Sequence, residues 1–251
     1  MVRDAIKRQA ASEKYRYDMA DPEKKVVYDL NFDRLISRNS SQSTQHRAHC
    51  QVYEALKKGW ASEKDLDDIF FVLFVLRSSP RCYYCGDPPT EVDLSVDRMD
   101  SNKTYMQCIR EGLLVPAHSF CNIMKHRLSV DNFFLMATNV VKYQDYGIAA
   151  AIAPAPKKHK QTFERFQHSA KIRHRIELTE SDFEKLSTQP CHHCGVMDSN
   201  GSGIDRMQNE IGYIRDNCYP SCWACNRAKH IYTADFLYNV CRKIVRQHNL
   251  I

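Results

Sequence analysis

The stretch NCYPSCWACNRAKHIYTADFL, residues 217–237, decides the fold because the chain contains it twice. Residues 113–134 read LLVPAHSFCNIMKHRLSVDNFF, and Cys121, Asn122, Lys125 and His126 fall on Cys225, Asn226, Lys229 and His230 at one constant offset of 104. Upstream, LSVDRMDSNKTY (94–105) matches GSGIDRMQNEIGY (201–213), with Asp97-Arg98-Met99 and Tyr105 on Asp205-Arg206-Met207 and Tyr213 at an offset of 108. Further upstream, CYYCGD (82–87) faces CHHCGV (191–196), so each copy opens on a Cys-x-x-Cys pair. Agreement of order and spacing at this level is the signature of a duplicated module, with only loop lengths differing.

In the second copy Cys191, Cys194, Cys222 and Cys225 form two Cys-x-x-Cys pairs with 27 residues between them. Each pair can chelate from one tight turn, and two such turns complete a tetrahedral thiolate shell around zinc. In the first copy the offset maps Cys222 onto His118, so the expected shell is Cys82, Cys85, His118 and Cys121. Cys108 is the rival fourth ligand, although it lacks the spacing to Cys121 and has no counterpart in the repeat. A closed four-ligand shell leaves zinc no open position, so both ions are expected to hold the fold and perform no chemistry. Redox cycling is the competing reading of paired thiols. The remaining cysteines, Cys50, Cys108, Cys218 and Cys241, read as small core residues.

The 251 residues carry a net charge of +6, and 43% are apolar, which excludes a wholly disordered or collagenous chain. The longest apolar run, Ile69 to Leu76, is far short of the roughly 20 residues that cross a bilayer. No membrane role is expected. The opening MVRDAIKRQAASEKYRYD mixes acids with bases and has no apolar core, unlike a secretory or transit signal. An intracellular, reducing compartment follows as the expectation, and it suits metal-bound thiols. Residues 1–61 read as a helical, polar segment, 62–146 as the first module, 147–176 as an Ala/Pro and basic linker, and 177–251 as the second module. Ser62 and Asp65 are expected to open a buried helix that ends at Ser78, Ser79 and Pro80.

These motifs resemble the HNH (ββα-metal, treble-clef) endonuclease superfamily, in particular its zinc-stapled branch, which includes endonuclease VII and many phage proteins. The resemblance covers about 62–143 and 179–246. It implies an α+β fold: a helical N-terminal segment followed by two zinc-stapled modules, each a knuckle, a β-hairpin and a helix. In that family the Asp ending the first strand and the Asn on the helix hold one divalent ion, and an adjacent His is the general base. Carried over by position, Asp97 with Asn122 and Asp205 with Asn226 would hold Mg²⁺ or Mn²⁺. The base position is Arg98 in one copy and Arg206 in the other. Arginine stays protonated and takes no proton from water, although it binds phosphate well.

Two functional classes therefore stand: a divalent-metal phosphodiesterase without its usual base, and a non-catalytic zinc scaffold that binds nucleic acid or builds a virion or ribonucleoprotein particle. Nucleic acid, DNA rather than RNA, is the partner that the family implies, and a phage or large DNA virus is among the expected sources. Lys125 and Lys229 are candidate phosphate contacts, with solvated helix charge as the alternative. Residues 157–175 add Lys157, Lys158, Lys160, Arg173 and Arg175 to a block of seven Lys or Arg against one Glu, which favours a phosphate backbone.

Overall fold

The computed structural model describes residues 44–62, 65–90, 94–155, 159–171 and 175–251. Residues 1–43 of the N-terminal segment, and Lys157, Lys158 and Arg173 of the basic block, lie outside this set. The chain divides into two compact units, one ending with residues 88–118 after a break at 82, the other made of 83–87 and 119–251.

In the first unit, α1 (Thr44–Lys57) turns Ala48, Val52 and Ala55 toward Leu66, Ile69 and Leu73 of α2 (Leu66–Arg77). This i, i+3/i+4 spacing places each set on one helical stripe. The expectation that all of α2 is buried is corrected here: Phe71 and Val75 are exposed on its far side. The helix ends at Ser78 as expected, and its N-cap, Asp65, contacts the Ser62 hydroxyl just upstream. Strands β1 (Ser95–Arg98) and β2 (Leu114–Ala117) pair antiparallel, with Asp97 opposite Val115. Between them lies α3 (Tyr105–Arg110), whose Thr104 and Gln107 satisfy each other's backbone N–H groups in a capping box. Gln51 joins these elements: its Nε2 donates to the Val96 carbonyl and the Tyr105 hydroxyl, both at 2.8 Å, while Arg77 donates to its Oε1 at 2.7 Å.

The second unit contains the helices that follow the first hairpin and the whole second module. Strands β3 (Gly203–Arg206) and β4 (Cys218–Ser221) pair antiparallel with Asp205 opposite Tyr219. The two hairpins share one register, since Arg98 faces Leu114 as Arg206 faces Cys218. Each hairpin is followed in the chain by a seven-residue helix, α4 (Ser119–Lys125) and α8 (Trp223–Lys229), and then a longer one, α5 (Val130–Tyr146) and α9 (Ala234–Gln247). His126 and His230, both with positive φ (50°), end the short helices. Ser129 and Thr233 then cap the long helices by accepting from the N–H groups of Asn132 and Phe236.

Two further helices, α6 (Phe163–Lys171) and α7 (Glu180–Ser187), complete the unit. The first of these lies inside the stretch read as linker. Its Phe166 and Ala170 join Leu178, Phe183, Ile204 and Cys218 in one apolar cluster, so this segment belongs to the packing of the second module. Burying a Phe side chain of this kind contributes about 1.5–3 kcal/mol.

Within this unit the copies brace one another. Helix α5 packs along α9 and α4 packs on α8, and Phe120 of α4 meets Phe236 of α9 edge to face at 5.2 Å. The second knuckle is seated on α5 and the turn after it: Gln144 Nε2 donates to the carbonyls of His192 (3.1 Å) and His193 (3.0 Å), and Ala150 N–H donates to the Cys194 carbonyl at 3.0 Å. Residues 83–87 of the first knuckle are seated on α9 in the same manner. His248 Nε2 lies 3.0 Å from the Tyr83 carbonyl, and Lys243 pairs with Asp87 at 2.5 Å. Each knuckle thus rests on the last helix of the other copy.

Candidate metal centres

The second knuckle owes its shape to the Cys-x-x-Cys-Gly sequence. Cys191 N–H donates to the Val196 carbonyl at 2.9 Å and Gly195 N–H to the Cys191 carbonyl at 2.8 Å, which folds both thiols to one side. Gly195 sits at φ +70°, and a Cβ there would meet the Tyr143 ring at 2.7 Å, so glycine is required for both backbone and space. Cys222 is the N-cap of α8, and its sulfur accepts from the Cys225 N–H at 3.5 Å. The four ligand atoms of Cys191, Cys194, Cys222 and Cys225 lie within 4.8 Å of one another, and all four residues are buried.

This geometry fits zinc. A tetrahedron with Zn–S near 2.3 Å has edges of about 3.8 Å, and the Cys194 and Cys222 sulfurs stand 3.9 Å apart. Hydrogen bonds from Cys194, Cys222 and Cys225 hold the Cys191 thiol far below its ordinary range, while contact with Cys191 pushes Cys222 and Cys225 well above theirs. Four buried sulfurs cannot all ionise together unless a cation sits among them.

Cys82, Cys85, His118 and Cys121 form a second buried tetrad, also within 4.8 Å. It contains His118 and not the rival Cys108, whose thiol instead lies 3.8 Å from the Asp100 carbonyl. His118 Nε2 is 3.1 Å from the Pro88 carbonyl, so that nitrogen carries the proton and Nδ1 is left for the metal. The His118 N–H also donates to the Cys82 sulfur at 3.4 Å. All eleven cysteines are free of disulfides, and burial raises Cys108, Cys241 and Cys218, the last to about 12, as expected of thiols in a packed core.

Four of the residues that the resemblance assigns to catalysis, Asp205, Asn226, Arg206 and Arg98, are in contact with other groups of the protein. Asp205 is buried, and both carboxylate oxygens are taken: Oδ1 by Lys229 Nζ at 3.2 Å and Oδ2 by His193 Nε2 at 3.1 Å. His193 in turn places Nδ1 2.9 Å from the Tyr238 hydroxyl, giving a buried chain Tyr238–His193–Asp205–Lys229. Asn226 donates its amide to the Ile204 carbonyl at 3.1 Å. Arg206 lies over the Tyr213 ring at 4.8 Å and donates to the Asn209 carbonyl at 2.8 Å, closing the loop after β3. Arg98 does the same in the first copy, lying over Trp60 (4.0 Å) and Tyr105 (5.2 Å) and donating to the Lys103 carbonyl. The tyrosines therefore face the arginines and their apolar clusters. Asp97 is buried and Asn122 half-buried at the corresponding positions.

Lys125 and Lys229, the candidate phosphate contacts, are both fully buried and are not solvated helix charges. The sequence disguises this because lysine on a short helix ordinarily projects into water. His193 and Tyr238 were not anticipated. The signal was the contrast between the two knuckles, CHHC against CYYC, which places His193 on the buried Tyr84 of the first copy. Of the basic block, Lys160 and Arg175 are exposed, and Arg175 pairs with Glu177.

The chain is 30% identical over 173 residues, 66% of its length, to an uncharacterized protein, R423, of Acanthamoeba polyphaga mimivirus. It spans about a third (32%) of that relative's length. No family model and no solved structure matches it. Among the described residues no helix is long and apolar enough to cross a membrane.

Proposed function

We propose that the chain is a non-catalytic, zinc-stapled scaffold that binds nucleic acid, DNA in preference to RNA, through a duplicated module of HNH type. One observation carries this reading: Asp205, which would hold a catalytic Mg²⁺ or Mn²⁺, already has both oxygens engaged by buried Lys229 and His193. An ammonium group in the place of the divalent ion supplies the positive charge that the carboxylate needs, and it cannot activate water. The base position is Arg206, and its guanidinium is spent on Tyr213 and the Asn209 carbonyl. Both zinc tetrads are closed shells, suited to holding knuckle to helix and not to hydrolysis.

Nucleic acid as partner is supported by the charge of +6 and by the exposed Lys160, Arg165 and Arg175 around α6. A viral source agrees with the mimivirus relative. The test is plasmid nicking with Mg²⁺ or Mn²⁺. The wild type is expected to leave supercoiled DNA intact while retarding it in a gel. Metal-dependent nicking that disappears in Asp205→Ala with Asp97→Ala would instead establish the phosphodiesterase.

A further inference from the structure

The short helices α4 and α8 pack against each other, and His126, which follows α4, meets α8 at Trp223 and Arg227. From the first copy come His126 and Arg127, and from the second Trp223, Arg227 and His230. Arg227 Nη2 donates to His126 Nε2 at 2.7 Å, and the His126 ring stands edge-on to Trp223 at 6.0 Å. Arg127, Arg227 and His230 are exposed, and among the described residues no carboxylate pairs with any of the three. Burial first, and then the positive charges of Arg227, Arg127, Lys125 and His230, hold His126 below the ordinary imidazole range.

Helix C-termini attract cations, and that accounts for one basic residue per helix. It does not account for two exposed guanidinium groups flanking one imidazole, Arg127 next to His126 in the chain and Arg227 hydrogen-bonded to its ring, with no carboxylate among the described residues paired to either. An anion between the two arginines lowers the repulsion of their like charges. Guanidinium forks match the paired oxygens of a phosphate, and a polyanion with regularly spaced phosphates can engage both arginines at once. The half-buried Trp223 lies beside them as an apolar floor.

We infer that the seam between α4 and α8, with Arg127 and Arg227 as its principal contacts and His126 and His230 beside them, binds the phosphate backbone of duplex DNA. This rests on the nucleic-acid reading above and assigns it a surface that neither copy could form alone. The two arginines come from different copies and from non-equivalent positions, so the site belongs to the assembled pair.

The experiment uses the full chain in its zinc-loaded form. Binding to a 20-base-pair duplex is followed by fluorescence anisotropy across a salt series for wild type and for Arg127→Ala with Arg227→Ala, with zinc content and circular dichroism confirming the fold. In parallel, inorganic phosphate is titrated while the His126 ring protons are followed by NMR. The expected result is a slope of log K against log salt shallower by about 1.8 in the double variant, two contacts' worth, and a phosphate-dependent shift of His126 that the variant loses. A wild type that binds the duplex with a slope unchanged in the variant would overturn the seam and leave the nucleic-acid reading standing. A wild type that binds no duplex would remove that reading; the phosphate titration then decides the seam, which stands as an anion site if His126 shifts and falls if it does not.

Discussion

Lys229 and Asp205 form an ion pair at 3.2 Å with essentially no solvent contact on the lysine side. A buried pair of this kind contributes little over an apolar replacement of the same volume, yet removing one partner strands the other. Lys229→Met is therefore expected to destabilise the second module by about 3–5 kcal/mol, and Lys229→Met with Asp205→Leu by clearly less. Urea unfolding measures both. Equal loss in the single and double variants would show that the pair is not the coupled unit described here.

The first tetrad depends on a histidine oriented by a backbone carbonyl. His118→Ala is expected to lower zinc content from two ions to one, and His118→Cys to restore it by recreating the ligand set of the second site. Because residues 83–87 rest on α9, loss of the first zinc should also speed amide exchange in α9, through the His248–Tyr83 and Lys243–Asp87 contacts. Unchanged exchange in α9 would show that the knuckle does not brace that helix.

Gly195 tests the knuckle from the backbone side. Alanine there must adopt a left-handed conformation and push into Tyr143. Gly195→Ala is expected to cost at least about 1–2 kcal/mol, whereas Gly112→Ala, also left-handed but with nothing near its side-chain position, pays only the backbone term. Thermal melts of the two variants that coincide would remove the close approach to Tyr143 from the account.

The two knuckles are legible in the sequence because zinc-ligand geometry imposes Cys-x-x-Cys spacing on few residues, and the start of α2 because capping chemistry marks Ser62 and Asp65; the strand register belongs to the folded hairpins. Helix α6 was hidden because its basic composition resembles a linker, and only the placement of Phe166 against Phe183 and Tyr213 reveals a packed face. Asp205 is an ion site only by the family resemblance, and a position along the chain says nothing about what approaches a carboxylate in the fold. Lys229 and His193 come from a different helix and a different turn, and their burial is a tertiary fact.

His126 gives a pH dependence. Its folded-state pKa is lowered by burial and by neighbouring cations, so between about 6.5, the unfolded value, and the lower folded value the unfolded chain binds more protons. Stability from this group is fully present above about pH 6.5 and is lost as pH falls through the folded value. NMR titration should place the His126 midpoint below that of an ordinary histidine, and Arg227→Ala should raise it. A midpoint that does not respond to Arg227→Ala would contradict the close approach of these two side chains.

Native mass spectrometry of the purified chain, recorded before and after exposure to excess Mn²⁺, bears most directly on the claim that two closed zinc sites hold a scaffold whose acidic site is already occupied. The expected mass is the chain plus two zinc ions, with no further specific metal acquired from Mn²⁺. A chain carrying one zinc or none would contradict the tetrads, and a third ion that binds wild type but not Asp205→Asn would contradict the scaffold.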